Sequence, residues 1–374
     1  MNKTIIWLIV IIVVIAGIWW GVSRRPTEEE VIKIGFIGPL SGDEAKGGES
    51  ELNAINLALE DLGWKINNKK VKIIAEDGKC NGKEAATAAQ KLINVDKVKV
   101  ILGGACSAET LGAAPITEAN KVILFSAFSS NPQISEAGIY IFRNYPSDTL
   151  GGKKGAEMIK EKKVAIITEN TDYSMGIREV FKKEFIKRGG KIVADEIYTP
   201  GEKDFRTYLI KIKSASPEAI FINPGTSPGT GGMIAKQAKE LKFNLPLYGN
   251  FLLGTQDALE IGSEALEGAI FFDTPTLDLK NPKAKNFISR YKEKYGEPFN
   301  ELEVGARYDS VFIIANAIKR CRENTDCIKN YLYAMPEYHG TIGTYRFDEN
   351  GDPIGLTFIV KKIINGKPEA IEQK

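Results

Sequence analysis

The chain has 374 residues, with 50 Lys and Arg against 48 Asp and Glu, a net charge of +2 and 43% hydrophobic residues. That is room for about two globular domains, and the near-neutral balance leaves no electrostatic footprint for a polyanion. No Walker loop, metal-ligand spacing or basic–aromatic stripe occurs, so no nucleic-acid partner, metal or cofactor is expected.

Ile5 to Val22, IIWLIVIIVVIAGIWWGV, is apolar over 18 residues, with Lys3 before it and Arg24 and Arg25 after it. It is just long enough to span a bilayer, longer than a usual secretory core, and no small-x-small cleavage site follows. The expectation is an uncleaved N-terminal transmembrane helix, a single-pass anchor in the cell membrane, with a cleaved signal as the alternative. Trp7, Trp19 and Trp20 fit an interfacial belt. A polar linker closes this segment at about residue 30, and the rest is then extracytoplasmic, where disulfides persist.

The strand-like runs that follow are 32–38, 71–77, 98–104, 121–126 and 139–144, with helical spacing near 49–62, 82–95 and 107–119. The pattern restarts with strands at 163–169, 191–198, 218–224, 245–250 and 268–273. Helices are predicted near 149–161, 174–189, 204–214, 231–241 and 255–260. Longer helices are predicted at 282–294, 302–320 and 325–334, and ENGD near the end reads as a hairpin turn. Alternating strands and helices imply two α/β lobes, each a doubly wound parallel sheet. Tyr308 and Asp309 read as packing and capping residues of their helix, and His339, the one histidine, as a turn or surface residue.

Ligands of open α/β sheets sit at the carboxyl ends of the strands. The loops there, GPLSGDEAKGGES, EDGKCNGK, GGACSAET, SAFSSNP, ENTDYSMG, NPGTSPGTGG and YGNFLLG, are rich in Gly, Ser, Thr and Asn. They carry few of the paired acids and bases that catalysis needs. Ser107 precedes a helical pattern, where a serine caps well and free amides attract an anion. Of the four cysteines, Cys321 and Cys327 flank a short loop and form an obvious local pair. Cys80 and Cys106 each follow a predicted strand end. Four cysteines allow three pairings, and this one needs the least travel.

In order and spacing, IKIGFIGPLSGDEAKGGES, EDGKC with GGACSAET, FRNYPSD, TDYSMG, GEKDF and FDENGD resemble the type I periplasmic solute-binding proteins, specifically the branched-chain amino-acid-binding group of ABC importers. The resemblance covers about 32–362. It implies two lobes joined by a three-strand hinge, lobe one at 32–145 plus 274–337 and lobe two at 146–273 plus 338–374, closing on a ligand by hinge bending. It also implies a disulfide between the Cys80 and Cys106 loops, permease subunits as partners, a monomer, and no catalysis. The favoured ligand is an amino acid of the branched-chain type, or a related small polar solute.

By the same resemblance Ser107 would take the ligand carboxylate, and the Phe128 carbonyl and the Ser130 hydroxyl the ammonium, with Tyr173 reaching in from lobe two. Two departures stand out. Gly47 occupies a place where the family often has an aromatic, and Phe251, beside Asn250, a place where it often has an ammonium-pairing glutamate. Asp148 is a candidate substitute, and Thr226 and Ser227 stand where a second aromatic is possible. Other members of the wider family bind amides, urea or aromatic acids. Two rival readings are a sensor ectodomain signalling through a membrane partner, and a hydrolase built on Ser107 or Cys106, which lacks a neighbouring base.

Overall fold

The computed structural model describes Trp7 and residues 31–225 and 229–371. The predicted anchor, Trp7 apart, lies outside the described residues; among those described, no helix is long and apolar enough to cross a membrane.

The first sheet begins with β1 (Val31–Gly38), buried on both faces over its second half, as an interior strand of a parallel sheet must be. After α1 (Ala45–Asp61), a short β2 (Lys65–Ile66) turns into β3 (Lys69–Asp77). The turn is Asn67–Asn68, with φ of 51° and 63°, the left-handed pair that a two-residue hairpin requires. Then come α2 (Gly82–Asn94), β4 (Val100–Gly103), α3 (Ser107–Ala119), β5 (Ile123–Ser126) and β6 (Ile141–Arg143). The order is β2-β3-β1-β4-β5-β6, parallel throughout except for the β2 edge.

The second half runs α4 (Asp148–Met158), β7 (Lys163–Glu169), α5 (Asp172–Lys187), β8 (Lys191–Tyr198), α6 (Arg206–Ser214), β9 (Ala219–Asn223), α7 (Thr230–Glu240), β10 (Leu247–Gly249), α8 (Gln256–Gly262) and β11 (Ile270–Asp273). The chain then returns to the first half as α9 (Pro282–Tyr295), α10 (Glu301–Cys321) and α11 (Thr325–Tyr333). A small antiparallel sheet of β12 (Tyr338–His339), β13 (Thr344–Phe347) and β14 (Pro353–Ile354) leads into β15 (Ile359–Ile364) and β16 (Lys367–Ala370). These last two complete a seven-stranded sheet, β16-β15-β11-β10-β9-β7-β8.

One expectation needs correction: the second sheet is mixed, not purely parallel. β15 pairs antiparallel with β11, and β16 with β15. The cause is local. Asn365–Gly366, both at positive φ, form a two-residue hairpin turn, and β15 enters from the other half without a crossover helix.

Two buried arginines hold the returning helices and the hinge region in place. Arg307 of α10, fully buried, donates through Nε and Nη2 to Glu51 Oε2 of α1 at 2.9 and 2.6 Å, and through Nη1 to the Phe125 carbonyl at 3.0 Å. Arg143 at the end of β6 donates to both carboxylate oxygens of Asp352 at 2.6 and 2.9 Å, and to the Asn131 carbonyl at 2.8 Å. Asp309 accepts from the Thr341 and Ile342 amides, and Tyr308 donates to Asp61; both roles are structural.

Breaking a buried ion pair from one side strands the other charge. Arg307→Met is therefore expected to lower unfolding free energy by about 3–5 kcal/mol in urea denaturation. The double variant Glu51→Gln/Arg307→Met should recover a large part of that loss; equal losses would contradict the account.

Candidate functional site

The loops at the carboxyl ends of β3, β4 and β5 are fastened to one another before they reach the site. Glu109, on the first turn of α3 and fully buried, accepts the Ala105 and Cys106 amides on Oε2 at 3.0 and 3.1 Å and the Cys80 amide on Oε1 at 3.0 Å. Burial pushes its carboxyl up to about 7, against the pull of those amides. Cys80 and Cys106 are disulfide-bonded with a Cα–Cα distance of 5.2 Å, and Cys321 is bonded to Cys327. Ser126 and Ser129 donate to the Gly104 carbonyl at 2.7 and 2.9 Å.

Ser107 is one residue further into its helix than expected. Cys106 holds the N-cap position, and Ser107 is the first helical residue. Its Oγ accepts the Asn131 amide at 3.2 Å, which leaves the hydroxyl proton for the cavity. In the first turn of α3 the Glu109 amide bonds the Cys106 carbonyl at 3.0 Å, while the Ser107 and Ala108 amides ahead of it have no carbonyl acceptor within the helix.

Ser130 donates from Oγ to Asp148 Oδ2 at 2.7 Å, and Asp148 donates its amide to the Ser130 carbonyl at 2.7 Å. Ser147, not Asp148, caps α4. Burial raises the Asp148 carboxyl to about 7, opposed by the Ser130 hydroxyl and the Arg143 charge. Tyr173, on the first turn of α5, is half-buried, and desolvation lifts its phenol well above the usual value, with Asp148 and Tyr145 adding to the effect.

Ser107, Phe128, Ser130, Asp148, Tyr173 and Phe251 line one cavity. Aromatic rings from both halves meet around it. The Phe128 centroid lies 4.9 Å from Tyr145, 6.0 Å from Phe251 and 6.4 Å from Phe299, and Phe251 lies 6.2 Å from Tyr173.

Asn250 is not among the lining residues. It is fully buried, donating to Asn223 Oδ1 and the Pro224 carbonyl at 2.9 and 2.8 Å and accepting the Leu252 amide at 3.1 Å; its carboxamide shapes the loop that carries Phe251. Thr226 and Ser227 lie outside the described residues.

Among the lining residues not anticipated are Glu44, Tyr145, Phe299, Glu303 and Phe358. Glu44 and Tyr145 sit in segments already singled out, the GPLSGDEAKGGES loop and FRNYPSD. Glu303 of α10 and Phe299 of the turn before it carry no local signal. They matter because of Gly47: a Cβ there would meet only Glu303 Oε1 and Phe299 Cδ1, each at 3.9 Å. The missing aromatic thus leaves a gap walled by an acid and a ring.

No Lys or Arg lines the cavity. Nor does it hold the parts of a nucleophilic site, since Cys106 is bonded to Cys80 and His339 hydrogen-bonds Thr344 in the small β12–β13 hairpin. The cavity is built to surround a small molecule with rings, hydroxyls and carboxyl groups.

Comparison with known proteins gives the family. A family model described as periplasmic binding protein matches residues 31–367, and the chain belongs to that family; it is a solute-binding protein, not an enzyme. The leucine-, isoleucine-, valine-, threonine- and alanine-binding protein of Pseudomonas aeruginosa is 28% identical over 348 residues, 91% of this chain and 92% of that one. A solved leucine-binding protein of Thermotoga maritima is 29% identical with a TM-score of 0.82, covering 91% of this chain and 98% of its own. The branched-chain amino acid transporter substrate-binding protein of Streptococcus pneumoniae, solved with isoleucine, is 27% identical with a TM-score of 0.78, over 92% and 100% of the two chains.

A prediction on pH follows from Asp148. Its folded value, about 7, lies above the ordinary 3.8, so its contribution to stability is fully present below about pH 4 and is lost as pH rises through 7. Asp148→Asn keeps an acceptor for Ser130 and removes that loss. Thermal unfolding from pH 4 to 8 should show the variant gaining on the wild type as pH rises; parallel curves would contradict the assignment.

Proposed function

We propose that this chain is the extracytoplasmic receptor of an ABC importer and that it captures an α-amino acid, of the branched-chain type or near it, between two lobes. Lobe one is 32–145 plus 274–337 and lobe two 146–273 plus 338–374, closing about the hinge strands. The carried observation is the polarity of the cavity. Ser107 and the amide-rich start of α3 stand on one side, the Ser130–Asp148 pair on another, and aromatic rings fill the remainder.

The ligand carboxylate takes the Ser107 hydroxyl and the first-turn amides of α3, where the helix dipole favours an anion. The ammonium takes the Phe128 carbonyl and the Ser130–Asp148 pair, and Tyr173 and Phe251 close over it from lobe two. Each charged end loses water on closure and so needs charge-assisted partners; the side chain needs only apolar contact. Residues 5–22 act as an uncleaved membrane anchor, supported by their unbroken apolar run. The receptor works as a monomer that docks on permease subunits.

A thermal-shift screen of the full chain against the common amino acids tests this. A ligand at 100 times its Kd should add about 2.7 kcal/mol of stability. Ser107→Ala should weaken the best hit by about tenfold to a hundredfold, the worth of one hydrogen bond to a charged group. Silence from every amino acid, or an unchanged Kd in Ser107→Ala, would contradict the reading.

A further inference from the structure

Three carboxyl groups line the cavity, and two of them feel a cation inside the protein. Asp148 accepts from Ser130 and feels Arg143. Glu303 feels Arg307, which binds the neighbouring Glu51, although Glu303 Oε2 is buried without a hydrogen-bond partner among the described residues. Glu44 has no such cation. Its Oε1 is likewise buried without a hydrogen-bond partner among the described residues, and the charges acting on it are all carboxylates.

The charges around Glu44 make this worse rather than better. Asp43 on its own loop, Glu109 on α3, Glu169 at the end of β7 and Glu303 on α10 all face it. Lys79 and Asp172 share the outer mouth with it, and neither is bonded to it. Burial first, then Glu169, Asp43 and Glu109, push the Glu44 carboxyl up to about 8. The empty receptor therefore holds a proton there at neutral pH. A buried carboxyl without a partner costs free energy, and within this cavity the missing partner has to arrive with the ligand. A cation satisfies it; a plain carboxylate adds a further negative charge.

We propose that Glu44 is the counter-ion for the ligand's positively charged nitrogen, so that the receptor takes ammonium-bearing solutes in preference to simple carboxylates and releases a proton on capture. This rests on the amino-acid reading above and adds to it a selecting residue and a linked proton. The step balances: the ammonium enters with its charge, the neutral Glu44 carboxyl gives one proton to water, and a carboxylate–ammonium pair remains. Glu44 lines both the inner cavity and the outer mouth, so the proton has a way out. Pairing across so little water is strong because neither charge is well screened.

Titration calorimetry on the full chain with L-leucine and with 4-methylpentanoate, which differ only in the ammonium, tests this. In two buffers of different ionisation enthalpy at pH 7, leucine binding should release close to one proton. Its affinity should rise about tenfold per unit between pH 6 and 8, as a carboxyl of this value titrates. Leucine should bind at least about tenfold tighter than 4-methylpentanoate, the worth of a single desolvated charge pair. Glu44→Gln should abolish the proton release and bring the two probes within about threefold, while a cooperative thermal unfolding transition shows the variant folded. Tight leucine binding with no proton released, or an unchanged preference in Glu44→Gln, overturns the inference and leaves the amino-acid reading standing. Wild type that binds 4-methylpentanoate but no amino acid overturns both.

Discussion

One carboxylate organises the business end of this molecule. Glu109 gathers the amides of Ala105, Cys106 and Cys80, and so fixes the loop after β3 against the loop after β4 at the point where α3 begins. The Cys80–Cys106 disulfide closes the same junction covalently. With the junction held, Ser107 has one place to be, at the head of α3 beside the cavity. Hydroxyls from the β5 loop, Ser126 and Ser129, add a third loop to the knot. A binding site made of loops is precise only when the loops are this constrained.

The opposite wall is made differently. Tyr173 and Phe251 come from the second half and meet Phe128 of the first by edge-to-face ring contacts, which are adjustable and hold no register. A rigid polar wall facing a soft aromatic one suits a cleft that opens and shuts. The carboxyl groups left short of partners in the cavity are a cost of this arrangement. Sites that bind are commonly less stable than they could be, because their polar groups await a ligand.

Much of this was legible in the sequence, and the exceptions have physical causes. β7 and β8 fall at 163–169 and 191–198 as expected, since short apolar or alternating runs bounded by charges and turns leave little choice. The helix over 107–119 was equally clear, and only the cap was misplaced by one residue; the Glu three positions after Cys106 was the signal for it. β2 escaped notice because two residues carry no periodicity. The antiparallel β15–β16 edge was signalled by Asn365–Gly366, a turn read past because the pattern up to then was parallel. Among the site residues, those on strand-end loops were visible one at a time. That Glu303 of α10 and Phe299 of the turn before it, far along the chain, would wall the gap left by Gly47 was not, because no local pattern encodes which distant turn faces a loop.

The central claim is that one small solute is gripped from both halves at once. The most direct measurement is the position of a bound amino acid in crystals of the full chain grown with the best-binding one. The account predicts one ligand per chain, its carboxylate within hydrogen-bond distance of Ser107 Oγ and its other face against the rings of Tyr173 and Phe251. A ligand held by one half alone, or lodged outside this cavity, would contradict it.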